Sequence, residues 1–406
     1  MRRFGIVAVV LVLAAVSTAS AGDWNMFGPR TLGMGGAGAS SARGAWSLML
    51  NPAGLAEPDE AARISLSFGA DIRDLGLSDA IDALADYDWE RIQGDPTSSE
   101  NAAAVNDIVA QLRIMNEKAL MVGVGGGLFT TFGKFGIGVN GGFRAAFSPR
   151  VDLVNIVPIA SNVPNSFAYN TSKVAIVAMT LAEVPIGYAR KFEVGKGSMS
   201  VGGTVKIMRG ATYSAAVDPT TASTDEFRDE INDSEKTSVN LGFDLGAIYH
   251  PPYKNLSFGL VARNINSPKF DTIDGGEVSE DAQIRVGGEL ALFNRLLSVA
   301  VDADLNKRGT ILDGYGPNNE QYKEQWIGGG ISLEGSPWIF ETALRLGVMQ
   351  NMADSELGMI YTGGLSIGFK WLHVSLSGAV SQEESEVVDA KYPAGASVML
   401  AIESTW

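Results

Sequence analysis

A glycine-rich stretch near the start of the chain has the spacing of a dinucleotide-binding turn. The sequence RTLGMGGAGAS at residues 30–40 places Gly33, Gly35 and Gly38 in the pattern Gly-x-Gly-x-x-Gly. That pattern binds a pyrophosphate only where a β-strand precedes it and a helix follows it, because the first N–H groups of the helix hold the phosphates. Gly33 lies about a dozen residues after a predicted signal-peptide cleavage site, which leaves no room for the strand of a βαβ unit. The sequence therefore predicts that these glycines do not bind a nucleotide.

Few other residues are suited to catalysis or metal binding. Only two histidines occur, His250 and His373, and both are predicted at the same end of their strands. Neither has the serine and the orienting polar group of a Ser–His hydrolase, and a metal site built from them and carboxylates has no better support. The acidic stretches 225–235 and 313–324 lack the spacing of a calcium-binding loop and are expected to be solvated outer loops, with bridging by divalent cations left open. We therefore predict that the chain is not an enzyme and has no catalytic residue, metal ligand or cofactor.

The first residues carry the features of a secretory signal peptide. Arg2 and Arg3 precede an apolar run at 4–16, and Ala19-Ser20-Ala21 supplies the small residues of a cleavage site. We predict a cleaved signal peptide at residues 1–21, and no later apolar stretch approaches the ~18 residues of a transmembrane helix. The chain has no cysteine, so the exported protein must be held together without disulfides. The net charge of −15 argues against nucleic acid as a partner.

From residue 118 onward, apolar and polar side chains alternate along the chain. In the last segment, Val398, Leu400 and Ile402 share one face, whereas Ser397 and Glu403 lie on the other. This alternation is typical of strands with one apolar and one polar face. It predicts about fourteen strands, at 61–73, 118–131, 134–148, 173–192, 198–215, 237–250, 255–266, 282–293, 296–308, 325–335, 338–350, 357–370, 372–383 and 393–406. Most are long enough to cross a bilayer as tilted strands.

Short and long loops alternate between these strands. The connections after even-numbered strands are tight, such as Phe132-Gly133 and Asn294-Arg295, whereas most of the others are longer and polar, such as 149–172 and 216–236. Short periplasmic turns and longer outer loops are typical of outer-membrane barrels. Aromatic residues at the tight-turn end are predicted to form an interfacial girdle: Phe132, Phe135, Phe192, Tyr249, Tyr253, Phe293, Trp338, Phe369, Trp371 and Trp406.

We therefore predict an all-β fold, a closed antiparallel transmembrane β-barrel of about fourteen strands in residues 59–406. In lipid every backbone N–H and C=O group must be paired within the protein, and an antiparallel sheet achieves this only when it closes without an edge. The predicted location is the cell outer membrane, with its lipid around the barrel. A soluble periplasmic sandwich is the alternative, and it would be released without detergent.

Two regions depart from the two-residue period. Residues 77–92 and 102–115 have helical spacing, with Ser78 as the expected N-cap, so 77–116 is predicted as a helical extracellular insert in the first outer loop. Its apolar stripes are expected to pack against each other or the barrel rim, or else to form a groove for apolar ligands. Residues 22–58 are rich in Gly, Ala and Ser, which lets a segment pass close to a barrel wall. We predict that this segment plugs the barrel.

The motifs in this segment resemble those of a known family. RTLGMGGAG followed by Asn51-Pro52-Ala53, ahead of about fourteen strands, resembles the FadL-like outer-membrane transport proteins and more closely their TraF-like branch of exported barrels. The resemblance implies that residues 22–58 form a hatch inside the barrel. It also implies passive uptake of long-chain fatty acids or other hydrophobic compounds, without energy coupling. The implied hatch or gating residues are Gly33, Gly35, Gly36, Gly38, Asn51, Pro52 and Ala53.

Charged residues on the inward register carry both signs, which predicts a hydrogen-bonded, plugged interior rather than an ion-selective pore. Ion pairs between hatch and wall are the simplest role for them. The predicted lumen-lining charges are Lys206, Asp244, Arg263, Arg285, Glu289, Asp302, Asp304, Glu341 and Arg345. The terminal Trp406, with Val398, Leu400 and Ile402 at alternate positions before it, resembles the signal read by the outer-membrane barrel assembly machinery.

Two functions agree with these patterns. One is an outer-membrane channel for passive uptake of hydrophobic, long-chain fatty acid-like compounds. The other is a non-transporting structural or docking protein of a conjugation or secretion apparatus, as the TraF-like resemblance implies. A continuous apolar region from the outer rim to the hatch would favour transport, whereas a lumen filled by salt bridges would favour docking.

Overall fold

The computed structural model describes residues 28–57, 64–85, 87–88, 91, 101–116, 118–152, 171–217, 234–253, 255–311, 323–336, 340–369, 371–387 and 390–404. The predicted signal peptide and the aromatic residues Trp338 and Trp406 lie outside these ranges. All further structural statements concern the described residues.

Fourteen of the strands form one closed antiparallel barrel, and three short hairpins lie in its outer loops. In chain order the strands are β1 (Ile64–Leu75), β2 (Ala119–Phe132), β3 (Phe135–Arg150), β4 (Lys173–Val194), β5 (Gly197–Val217), β6 (Lys236–His250), β7 (Leu256–Arg263), β8 (Lys269–Asp271), β9 (Glu277–Ser279), β10 (Gln283–Leu292), β11 (Leu297–Asp304), β12 (Arg308–Gly309), β13 (Lys323–Glu324), β14 (Trp326–Gly335), β15 (Phe340–Asn351), β16 (Met359–Phe369), β17 (Leu372–Ser381), β18 (Glu384–Val387), β19 (Ala390–Pro393) and β20 (Gly395–Ser404). The hairpins are β8–β9, β12–β13 and β18–β19. The ring closes where β1 pairs with β20, from Ile64 opposite Ser404 to Arg73 opposite Gly395.

The outer surface of the barrel is apolar. On the neighbouring strands β1 and β20, the outward side chains of Leu66, Phe68 and Leu400 are 44–50% exposed, whereas the inward Ser65 and Ser67 are buried. A soluble protein would bury the apolar face, because moving one such side chain out of water favours the fold by about 1.5–3 kcal/mol. The predicted transmembrane barrel is therefore confirmed, and the soluble sandwich is wrong.

The first outer loop carries two helices, Leu77–Ala85 and Ala102–Met115. They pack against each other through Leu84, Val105 and Ile108. The prediction of Ser78 as N-cap is wrong. Asp74 caps the first helix instead, because its Oδ1 accepts hydrogen bonds from the N–H groups of Leu77 (2.8 Å) and Ser78 (3.3 Å). Across the described ranges, none of the helices is long and apolar enough to cross a membrane.

Residues 28–57, called the N-terminal segment from here on, lie inside the barrel. The segment contains four short turns of helix: Pro29–Gly33 and Ser47–Leu50 are α-helical, and Gly44–Trp46 and Pro52–Ala56 are 3₁₀. Its first helix contacts β15, β16 and β17, and its last turn contacts β4, β5 and β6 on another side of the ring. Most of its residues are buried. A segment this short reaches strands so far apart in the ring only by crossing the lumen.

Candidate functional site

The glycine motif lies against the barrel wall. Gly35 and Gly36 have φ angles of +67° and +81°, a left-handed backbone that glycine adopts without strain. A Cβ on Gly35 would lie 2.4 Å from the carbonyl oxygen of Val348 and 2.5 Å from that of Gly329. Gly33 lies close to Gly364, although less tightly, since a Cβ on Gly33 would be 3.2 Å from the Cα atom of Gly364. The glycines therefore allow backbone to lie directly on backbone, in agreement with the expectation that they let the segment pass close to the barrel wall.

Wall side chains fix the polypeptide around these glycines by hydrogen bonds. One carboxylate oxygen of Asp302 accepts from the N–H groups of Gly38 and Ala39, both at 2.8 Å. The hydroxyl of Thr362 accepts from the N–H of Gly35 at 3.0 Å and donates to the carbonyl of Gly33 at 3.2 Å. These bonds leave few backbone groups of the turn unpaired within the lumen, where an unpaired group would be costly.

The Asn51-Pro52-Ala53 motif is fully buried on the opposite side of the segment. The amide nitrogen of Asn51 donates to the carbonyl oxygen of Ala39 at 2.7 Å, and its amide oxygen accepts from the N–H of Ala53 at 3.1 Å. Gly246 of β6 makes room for this side chain, since a Cβ there would lie 1.9 Å from the Asn51 oxygen. Asn51 therefore ties the two parts of the N-terminal segment together against the wall.

A cluster of charged groups, here the inner arginine network, joins the segment to the inner ends of β10, β11 and β14. Both carboxylate oxygens of the buried Glu289 face guanidinium groups: Arg30 at 2.8 Å and Arg295 at 3.0 Å on one, and Arg43 at 3.5 Å on the other. Arg30 also contacts Glu334, at 3.3 Å. Three cations thus depend on one buried carboxylate.

The two arginines of the segment differ in how well their charge is stabilised. Burial disfavours both cations, but for Arg30 the carboxylates of Glu289 and Glu334 outweigh it and raise the pKa. For Arg43, burial and the neighbouring guanidinium of Arg295 lower the pKa to about 10. Arg30 is therefore the stronger of the two attachments.

The segment ends in a second polar contact with the wall at the inner rim. Glu57 accepts a hydrogen bond from Ser200 at 2.7 Å, and its other oxygen lies 2.9 Å from Nε2 of His250 and 3.4 Å from Nζ of Lys191. Burial favours the neutral acid, but these partners outweigh it and lower the pKa of Glu57 to about 2. Nearby, the indole N–H of Trp46 donates to Glu403 at 2.6 Å.

A hydrophobic cluster, here the outer cluster, lies on the outer side of the segment. It brings together inward side chains from many strands, five of them methionine, with Leu32 of the N-terminal segment, Phe270 and Val278 of the β8–β9 hairpin, and Ile311 and Leu357 of the outer loops. The methionines are Met121, Met179, Met208, Met349 and Met399. Methionine side chains are flexible and adapt to irregular apolar shapes. A small cavity of about 20 Å³ lies beside the cluster, lined by Leu75, Met121 and Trp326 among others.

All nine predicted lumen charges have polar partners. Asp302 and Glu289 hold the N-terminal segment, and Arg285 donates to the carbonyl of Gly36 at 3.2 Å. The remaining pairs lie within the wall: Lys206 with Asp244 at 3.0 Å, Arg285 with Asp304 at 2.7 Å, Arg263 with Gln283 at 3.3 Å, Glu341 with His373 at 2.7 Å and Arg345 with Ser366 at 2.6 Å. Both histidines thus pair with carboxylates at the inner end. The outward Val398, Leu400 and Ile402 are 42–49% exposed, while their role in assembly stays a prediction.

Sequence reasoning missed Arg30, Arg43 and Glu57, the charged residues by which the segment itself reaches the wall. Their partners lie 134 to 304 positions away in the chain, so no local pattern marks them. It also missed the β8–β9 hairpin, which was expected to be a polar outer loop. The local signals in that loop were the apolar residues Phe270 and Val278 and the Asp274-Gly275-Gly276 turn between them.

The fold resembles that of solved hydrocarbon channels. The toluene transporter TodX of P. putida is 12% identical, with a TM-score of 0.52, over 95% of this chain and 99% of that one. The CymD monoaromatic hydrocarbon channel is 13% identical, with a TM-score of 0.51, over 95% and 99%. A TodX deltaS2 mutant gives 12% identity and a TM-score of 0.51, over 95% and 100%. At such identities the likeness concerns the fold.

No curated protein sequence matches the chain. Residues 48–304, well over half of it, match the sequence model of a family described as "F plasmid transfer operon, TraF, protein". That region includes the Asn51-Pro52-Ala53 motif, the helical insert and the barrel strands from β1 to β11. The chain therefore belongs to the TraF family, and it folds as a closed barrel of fourteen antiparallel strands.

Proposed function

We propose that this protein is an outer-membrane channel for the passive uptake of hydrophobic compounds, with the N-terminal segment as its hatch. The outer cluster carries the proposal, because it extends from the outer loops at Ile311 and Leu357 to Leu32 of the segment. An apolar solute that enters among the outer loops meets apolar side chains until it reaches the hatch. The chain is proposed to act without catalysis. Residues 1–21 are proposed to direct its export and then to be cleaved off.

The proposed opening step is a movement of the N-terminal segment. The part of the segment around the glycine motif is attached to the wall mainly by hydrogen bonds and ion pairs, which can be exchanged for water. The later part, from Trp46 to Leu55, packs apolar side chains against Phe129 of the wall and is therefore expected to stay in place. Movement of Leu32 with its helix would connect the outer cluster to the inner end. The solute then passes without an energy source, down its concentration gradient.

The cargo class is best tested with two chemically different compounds. Toluene represents the hydrocarbons named for TodX and CymD, and oleate represents the long-chain fatty acids implied by the resemblance. Uptake of each radiolabelled compound is measured in Gram-negative cells that produce the protein, with heat-modifiable migration on gels as the check that the barrel is folded.

A matched pair of variants tests whether the cargo uses the outer cluster. Met399→Asp places a charge in the cluster, whereas Met352→Asp places the same charge on a methionine that is 46% exposed and outside it. We expect Met399→Asp to abolish uptake and Met352→Asp to leave it unchanged, because a buried charge repels apolar solutes. A folded wild-type barrel that takes up neither compound would contradict the transport proposal.

The alternative is a non-transporting structural or docking protein of a conjugation or secretion apparatus. It is favoured by one observation, namely that the inner arginine network and the Glu57 contacts fill the inner end with ion pairs. Under this alternative, variants of the network change partner binding and not uptake. A folded barrel without uptake, together with co-purification of an apparatus component that Glu289→Gln abolishes, would establish it.

A further inference from the structure

The β8–β9 hairpin crosses the outer part of the lumen. It leaves the wall between β7 and β10, and β8 lies against β5 and β6. Beyond β9, Glu280 forms an ion pair with Arg144 of β3, which lies four strands from β7 in the ring. The hairpin therefore lies over the outer cluster from one part of the wall to another.

The aromatic ring of Phe270 projects from this hairpin into the outer cluster. Phe270 is fully buried and belongs to the same cluster as Met179 and Met208. The wall leaves space for the ring at Gly210, where a Cβ would lie 2.4 Å from a carbon atom of the Phe270 ring and 2.8 Å from Cε of Met179. The site thus has the shape of a single aromatic ring and holds one supplied by the chain itself.

Besides the apolar contacts of Phe270 and Val278, hydrogen bonds to the wall hold the hairpin in place. Thr212 donates to the carbonyl of Asp271 at 2.6 Å, and Asn240 donates to that of Lys269 at 2.5 Å. The hydroxyl of Ser238 accepts from the N–H of Asp271 at 3.2 Å. The contacts of Asn240 and Ser238 are exposed at the outer ends of the strands, where water can replace them at a small net cost.

The base of the hairpin has an unusual backbone. Asn264 and Ser267 have φ angles of +48° and +43°, which are uncommon for residues other than glycine. Both lie where the chain leaves β7 and turns into the lumen. Changes of backbone angle at such a pair would rotate the hairpin as a unit, as in other loops that open by a hinge.

We propose that the β8–β9 hairpin is a movable outer cover, and that its Phe270 ring occupies the place in the outer cluster that a single-ring aromatic compound takes on entry. The inference rests on the proposed uptake function. The exchange of one buried ring for another changes the buried apolar area little, so the cover opens for an aromatic compound at a small free-energy cost. When no aromatic compound is bound, the ring of Phe270 keeps water out of the outer cluster.

Disulfide staples test this cover, because the chain has no cysteine of its own. Ser238→Cys with Asp271→Cys ties the hairpin to the wall, since the Ser238 hydroxyl lies 3.5 Å from the Asp271 carboxylate. Asp271→Cys with Glu277→Cys is the matched control. These residues lie opposite each other in the hairpin, so the staple joins the hairpin only to itself.

Entry is followed in purified protein by quenching of tryptophan fluorescence with nitrobenzene in stopped flow. Trp326 lies in the outer cluster, so the difference between each protein and the same protein carrying Trp326→Phe reports arrival of the quencher there. We expect the oxidised wall staple to slow arrival at least about tenfold, and reduction to restore it. The control staple should behave as the wild type. An unchanged rate with the wall staple would overturn the proposal that the hairpin is a movable cover.

Phe270→Ala supplies a second test that needs no staple. It removes the ring and should speed the arrival of nitrobenzene, while heat-modifiable migration shows that the barrel is intact. An unchanged rate, or a wild type in which Trp326 is never reached, would overturn the inference. Quenching that the wall staple blocks, combined with no uptake by cells, would refute the proposed channel and leave the cover standing.

Discussion

The short helix Pro29–Gly33 joins two regions of the barrel interior that differ in their chemistry. Arg30 extends into the inner arginine network, whereas Leu32 lies in the outer cluster. The network depends on direction and distance, because each guanidinium must meet a carboxylate. The cluster depends only on filling space, and its methionines adjust their shape. One region is suited to hold the segment in a single position, and the other to accept solutes of different shapes.

Glu289→Gln, in the inner arginine network, should destabilise the N-terminal segment most. It leaves the guanidinium groups of Arg30, Arg43 and Arg295 without their shared carboxylate, and loss of one partner from a buried ionic group costs about 3 kcal/mol. We expect the N-terminal segment to lose amide hydrogen-exchange protection while the barrel remains folded. Glu341→Gln is the control. Its partnership with His373 is at the inner rim and partly exposed, so its loss should cost less than about 1 kcal/mol.

Gly35→Ala tests how closely the backbone of the N-terminal segment must pack against the wall, and it changes no charge. The new Cβ would meet wall carbonyl oxygens at 2.4 Å and 2.5 Å, and the left-handed φ adds about 1–2 kcal/mol. We expect the segment to shift away from β14 and β15, with lower exchange protection and increased leak through the barrel. Gly133→Ala has a similar φ of +60° but no atom within 4 Å, so it isolates the backbone cost. Equal effects at the two glycines would show that the close approach is unimportant.

The contact of Glu57 with the wall should depend on pH only in acid. Its pKa is lowered from 4.5 to about 2, so the folded state is favoured fully above about pH 4.5 and loses that contribution as the pH falls toward 2. The part of the exchange protection near residue 57 that titrates with Glu57 should therefore be present in full above about pH 5 and decline below it. Glu57→Gln should remove this pH-dependent part. A decline that persists in Glu57→Gln would assign it to other carboxylates.

Volume-conserving apolar substitutions within the outer cluster should have the smallest effect on stability. Met179→Leu conserves volume and should cost less than about 1.5 kcal/mol in thermal unfolding. It removes flexibility, so we expect uptake of bulkier compounds to fall relative to toluene. Met352→Leu, at an exposed position, should change neither quantity. Similar uptake of all compounds by Met179→Leu would show that shape adaptation is not the role of the methionines.

The wall could be predicted from the sequence because its pattern is local. Alternation along each strand reports which side faces lipid, and the loop lengths report the direction of each strand, so the number of strands and the closure follow. The interior could be predicted only in part. The inward charges could be predicted from the register of the strands. The pairing of Arg30 with Glu289 could not, because the two residues are 259 positions apart and no sequence spacing encodes such a pair. The three-residue strands β8 and β9 are too short for alternation to be visible.

The seam between β1 and β20 has a consequence for how the molecule is built. The N-terminal segment precedes every strand in the chain, yet it is enclosed by a ring that the last strand completes. During folding, the N-terminal segment must therefore take its place inside the ring before, or while, β20 pairs with β1. A chain truncated before β20 would leave that early part accessible to proteases, even with thirteen strands already paired.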